Sequence, residues 1–238
     1  MKSKSWSIVK PEDFEVDNKN YRINGKDYNR VTQVLGIIAK PGITSWAARV
    51  GRKKVEAIIK RRCDLGTVVH NLFERTLKGE SFNLGNYEQE IQNDLNLFDE
   101  FKINTCLEPE ALEQNIWSNK YGYAGTMDYV GEYKSHTKYM VKGHKAKFMK
   151  GARVVGDWKT SADIYPQYWM QLAAYICAFE ELTGEKLEGA FIAQFRNGKI
   201  RVKEMTYDEL MLEFKGFLHA LGLYNCTNKK GIWSNVKR

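Results

Sequence analysis

No apolar run in this chain approaches the length needed to span a membrane. The first residues, Met1-Lys-Ser-Lys-Ser-Trp6, contain nothing like the apolar segment of a secretory signal. A cytoplasmic protein without membrane contact is the expectation. Cysteine is scarce: Cys63, Cys106, Cys177 and Cys226 stand far apart, with no Cys-x-x-Cys spacing among them. That pattern reads as free thiols and speaks against a disulfide framework, a zinc site or an iron–sulfur cluster. There is no internal repeat and no low-complexity segment. Acidic residues are absent from one stretch, residues 134 to 153, which holds seven basic ones: Lys134, Lys138, Lys142, Lys145, Lys147, Lys150 and Arg153. This stretch accounts for nearly all of the net charge of +8. Such local basicity suits contact with a polyanion, although a solvated charged hairpin gives the same composition.

What remains is ordinary for a water-soluble fold, with 43% hydrophobic and 28% charged residues in 238. Tyr21 to Tyr28 reads as a hairpin about Asn24-Gly25. Apolar residues at helical spacing predict a short helix over 31–38, a second from Thr44 that breaks at Cys63-Asp-Leu-Gly-Thr67, a third from Thr67 to Leu77, and a fourth over 87–104. The period then changes. Strands are expected over 111–118, 125–130 and 153–159, with the basic stretch between the last two and Gly143 at its tip. Pro166 opens a helix to about Leu182. Two strands joined at Asn197-Gly198 follow, and the capping box Thr206-Tyr-Asp-Glu209 starts a last helix ending near Gly222, before a basic tail. The expectation is an α/β (α+β) fold with a central mixed sheet flanked by helices, in a single domain over 1–238. Within it, 1–105 form a hairpin and helical region, 106–224 a sheet-and-helix core, and 134–153 a basic insertion.

The stretch Arg153-Val-Val-Gly-Asp-Trp-Lys-Thr-Ser161 concentrates the chemistry. A period of two puts Asp157 and Lys159 on one face of a β-branched strand and Trp158 on the other. A carboxylate and an ammonium at the end of an apolar strand are costly unless paired or bound to a metal. Either an ion pair closing the strand or a metal site satisfies them. Asp128 sits among apolar residues on the neighbouring predicted strand, and the Trp158 carbonyl could add an oxygen. His70 and Glu74 share one side of a helix, so His70 could supply a nitrogen ligand, which favours manganese. Glu113 could be a further acidic ligand, and Glu74 either a partner of His70 or a solvated charge. Two carboxylates beside a lysine suit metal-assisted hydrolysis of a phosphodiester.

Four segments taken in order, Gly66-Thr-Val-Val-His70, Gly125-Thr-Met-Asp128, Gly156-Asp-Trp-Lys-Thr160 and Gln171-Leu-Ala-Ala-Tyr175, resemble the PD-(D/E)XK nuclease superfamily, in particular its RecB-like branch. Val31-Thr-Gln-Val-Leu35 and Trp46 are similar to that branch too, and the likeness covers roughly residues 20 to 205. The resemblance implies that His70, Asp128 and Asp157 hold Mg²⁺ or Mn²⁺ and that Lys159 is the catalytic lysine. It implies that Gln171 and Tyr175, with Tyr168 beside them, lie near bound nucleic acid. Lys138, Lys142, Lys145 and Lys147 are expected to track the backbone of single- or double-stranded DNA near the catalytic end of the sheet. Other replication or recombination proteins are the further partners it suggests. The implied activity is a metal-dependent deoxyribonuclease, in first place an exonuclease. The alternative is an inactive nucleic-acid-binding subunit of the same fold. Two departures stand out: Met127 precedes Asp128 where the family pattern has proline, and the basic insertion is long.

Overall fold

A computed structural model describes residues 14–16 and 20–228; the basic tail from 229 onward lies outside them. Strand β1 (Phe14–Val16) pairs with β2 (Asn20–Ile23), which turns into β3 (Lys26–Arg30). The turn is the expected one, since Asn24 and Gly25 both take positive φ, 50° and 74°. Helices α1 (Val31–Val34), α2 (Pro41–Val50), α3 (Arg52–Leu77) and α4 (Gln89–Asn104) follow. Then come β4 (Glu108–Ser118), β5 (Tyr123–Tyr133), β6 (Ala152–Lys159), α5 (Pro166–Thr183), β7 (Gly189–Arg196), β8 (Lys199–Thr206) and α6 (Tyr207–Asn228).

All the strands join one mixed sheet in the order β1-β2-β3-β5-β6-β7-β8, with β4 also paired to β5. β3 runs parallel to β5 and β6 parallel to β7; the other pairings are antiparallel. One face is covered by α1, α5 and α6, which bury Val34, Leu172, Ile176, Phe214 and Phe217 over Val155 and Ile192. The other is covered by α3 and α4, which bury Val69, Phe73, Leu95 and Phe98 over Tyr129, Trp158 and Phe191. The sheet is thus the middle layer of three. No helix among the described residues is long and apolar enough to cross a membrane.

Two expectations are corrected. The helix was expected to break at Cys63–Thr67, yet α3 continues through it. Gly66 is there for space: a Cβ on it would stand 3.1 Å from Thr160 Oγ1, at the end of β6. The Thr67 hydroxyl donates back to the Cys63 carbonyl at 3.1 Å and stays within the helical ladder. The basic stretch, in turn, neither projects nor reaches the catalytic end of the sheet. Tyr133 pairs with Ala152, so the insertion leaves and rejoins the sheet five residues from Asp157, roughly 16 Å along the strand. It makes a short 3-10 turn at Thr137–Tyr139 and lies along β8, where the Val141 amide donates to the Val202 carbonyl. Glu204, only 3% exposed, fastens it by accepting from the Tyr133 hydroxyl (2.7 Å), the Ser135 hydroxyl (2.8 Å) and the Lys147 amide (2.8 Å). Lys138 is paired with Glu100 and Lys147 with Glu209, while Arg153 bridges Glu110 and Glu185.

Helix α4 contains a buried charge that the sequence pattern hides. Asp94 lies on its apolar stripe, 4% exposed, and burial reinforced by Glu90 pushes its carboxyl up to about 6 against the pull of Arg62. A carboxyl raised in the folded state prefers its proton there. Its ionisation penalty is therefore absent below the unfolded value near 4 and complete above about 6. Asp94→Asn is expected to melt higher than wild type at pH 7, with the gap closing as pH falls to 4. A gap that does not change with pH would trace the gain to packing instead.

Candidate metal centre

Asp128 and Asp157 occupy adjacent positions on β5 and β6, next to the paired residues Tyr129 and Gly156. Two forces position them. Trp158 turns away into the α3–α4 core, where its ring meets Phe98 edge-on at 5.2 Å and Phe73 at 6.1 Å. Each such contact contributes about 0.5–1.5 kcal/mol beyond burial and fixes the end of β6. On the other side, Gly125 lets Tyr175 lie directly against β5; a Cβ there would come within 2.4 Å of the ring. Tyr175 in turn accepts from the Gln171 amide at 3.1 Å.

Around Asp128 the contacts are specific. Its Oδ2 accepts the Trp158 backbone N–H at 3.0 Å and lies 3.2 Å from His70 Nδ1. Trp158 is therefore tied to the site through its amide. Asp157, 2% exposed, is gripped by Lys159: Nζ donates to Oδ1 at 2.7 Å and stands 2.6 Å from Oδ2. That second oxygen is buried and has a charge beside it but no well-directed hydrogen bond. The Lys159 ammonium also sits 4.8 Å from the centre of the Tyr168 ring.

These contacts set the proton distribution. Burial raises Asp128, but the His70 charge and hydrogen bond prevail and hold it below the usual carboxylate range. Burial lowers His70, but Asp128 more than restores it, so the imidazole holds a proton more firmly than usual. Burial pushes Asp157 up to about 6 despite Lys159, with the Asp128 charge adding to the rise. Lys159 loses to burial and gains more from Asp157 and Asp128, which leaves it above its ordinary value.

Glu113, the further acidic ligand that the sequence offers, comes from the preceding strand. It stands in mid-strand on β4 with φ 46°, a left-handed conformation uncommon outside glycine, and the β4–β5 register skips it where it would face Asp128. Burial and the Asp128 charge push its carboxyl up to about 7. His70, Glu113 and Asp128 each bring one ligand atom within 4.8 Å of the others. One imidazole nitrogen and two carboxylates form a donor set that suits a divalent metal ion. Glu74 is instead paired with Lys78 at 2.6 Å.

A cleft of about 440 Å³ opens beside His70 and Asp128. Its lining includes His70, Asp128, Lys159, Gln171 and Tyr175, together with Tyr21, Arg30, Thr32, Thr67 and Thr126. Lys138, Lys142, Lys145 and Lys147 are not among the cleft's lining residues.

No protein-family model matches the chain, and no curated protein sequence matches it. Among solved structures, SSO0001 is similar over 94% of this chain and 88% of its own, at 14% identity and a TM-score of 0.38. A candidate exonuclease from Eubacterium rectale is similar over 68% of this chain and 65% of its own, at 15% identity and the same TM-score of 0.38.

Proposed function

We propose that this protein is a nuclease that hydrolyses phosphodiester bonds of DNA with Mg²⁺ or Mn²⁺. The observation that carries the reading is the convergence of His70, Glu113 and Asp128 near the Asp157–Lys159 pair, with His70, Asp128 and Lys159 lining one cleft. His70, Glu113 and Asp128 would hold the ion, with Asp157 adjoining. The ion would act as a Lewis acid on phosphoryl oxygens and make water more acidic. Lys159 keeps its proton in the resting site, so it begins as a donor and a positive charge lining the cleft, where it would stabilise negative charge on a phosphate. The Asp157 carboxylate holds that ammonium in place from within the sheet, and the Tyr168 face confines it from α5. Gln171 and Tyr175 offer an amide and a phenol ring along the cleft to the sugar or base of the bound strand. An exonuclease is the form of the activity favoured by the resemblance in sequence.

The test is a time course with Mn²⁺ on end-labelled linear and closed circular DNA, single- and double-stranded, with EDTA added midway. Linear DNA should shorten until EDTA is added. An intact circle means that a free end is required; a cut circle means an endonuclease. Binding without any cleavage would support the inactive-subunit reading instead. His70→Ala should weaken Mn²⁺ binding in calorimetry by at least the roughly 10- to 100-fold typical of lesser changes around a metal. Unchanged binding would remove His70 from the ligand set.

A further inference from the structure

We propose that Arg30, stacked on Tyr21, anchors a second phosphate of the bound strand, away from the one at the metal ligands. This rests on the nuclease reading and extends it to how the strand is held. His70, Asp128 and Lys159 line the cleft on the metal side; Tyr21 and Arg30, which belong to none of the four motif segments, line it as well. Arg30 pairs with Ala124 on β5, four residues before Asp128, so the two backbones are separated by roughly 13 Å along the strand. That offset suits a phosphate farther along the strand better than the one being cut.

The arginine is also prepared for the task. Its guanidinium carbon lies 5.3 Å from the centre of the Tyr21 ring. The ring is itself fixed: it is buried, its hydroxyl lies 3.0 Å from Thr126 Oγ1, and that hydroxyl donates to Asn115 Oδ1 at 2.8 Å. Stacking engages the face of a guanidinium, whose donors lie in the plane, a geometry that matches phosphate oxygens. An arginine already held in one rotamer loses less entropy on binding. Thr32 lines the same cleft and carries a hydroxyl that can help complete the shell of an oxyanion.

The discriminating experiment uses Arg30→Met, which keeps an unbranched side chain against Tyr21 and removes the charge. Thermal unfolding checks that the variant is folded. Binding of a fluorescein-labelled single-stranded oligodeoxynucleotide is measured with Ca²⁺ in place of the active metal. The series carries one neutral methylphosphonate linkage, moved stepwise along the strand. Arg30→Met should weaken binding roughly 10- to 100-fold, as for loss of a charge-assisted hydrogen bond. It should lower the slope of log affinity against log salt by about 0.7. At one linkage, neutralisation should cost the wild type affinity and cost the variant nothing further. Equal losses in both proteins at every linkage would overturn the assignment. If the wild type still cuts DNA with Mn²⁺ in that case, only this inference falls. If it neither binds nor cuts, the nuclease reading falls with it.

Discussion

Lys159→Ala is expected to lower DNA cleavage by roughly 10²- to 10⁴-fold, the usual cost of losing a positioned proton-handling group. Removing one partner of a buried ion pair ordinarily destabilises a fold by about 3–5 kcal/mol, because the other charge is left uncompensated. Asp157 has a way out. Burial already pushes it up to about 6, and without the Lys159 charge beside it the carboxyl rises further and takes a proton near neutral pH. The variant should therefore fold, bind Mn²⁺ through His70, Glu113 and Asp128, and bind oligonucleotide. Single-turnover cleavage at saturating protein separates the chemical step from binding. Turnover close to wild type in that assay would remove Lys159 from the chemistry. Lys159→Arg adds a control, since it restores charge but not the compact ammonium geometry, and recovery should be slight.

The elements that sequence reading placed well are those whose signal is local. The Asn24-Gly25 and Asn197-Gly198 turns need positive φ at both residues, and both pairs adopt it. The capping box at the start of α6 forms as written, the Thr206 amide donating to Glu209 at 2.7 Å. Alternation along β6 correctly sends Trp158 to one face and Asp157 with Lys159 to the other. What went unseen depends on distant partners. Gly66 looks like a helix breaker until Thr160 is found against it. The lysine-rich stretch looks like a free arm, because nothing nearby in sequence reveals Glu100, Glu204 and Glu209 waiting for it. Arg30 is unremarkable in a hairpin until the parallel pairing of β3 with β5 carries it to the cleft. Glu113 was open as a ligand, but its left-handed backbone contradicts the even strand around it. Strain of that kind persists where the surrounding structure imposes it, often at a working site.

Glu113 gives the sharpest link between stability and function. Without metal its charge is a burden: burial comes first, then repulsion from Asp128, and its carboxyl is pushed up to about 7 from an ordinary value near 4.5. A carboxyl raised in the folded state contributes no penalty below the unfolded value. The penalty grows as pH rises from about 4.5 and is complete above about 7. Glu113→Gln keeps the shape and deletes the charge. In EDTA the variant should therefore melt higher than wild type at pH 8 and alike at pH 4.5. With Mn²⁺ the order should reverse, because wild type gains a counter-charge for Glu113 while the variant has lost a ligand. Stabilisation by a ligand follows the logarithm of its concentration over Kd. The metal-induced rise in Tm should thus shrink along with the affinity measured by calorimetry, by roughly 10- to 100-fold or more. Cleavage should fall at limiting Mn²⁺ and recover partly at high Mn²⁺, because Asp128 and His70 remain. A variant that melts higher in EDTA yet binds Mn²⁺ as tightly as wild type would show that Glu113 is a strained neighbour of the site and no part of it.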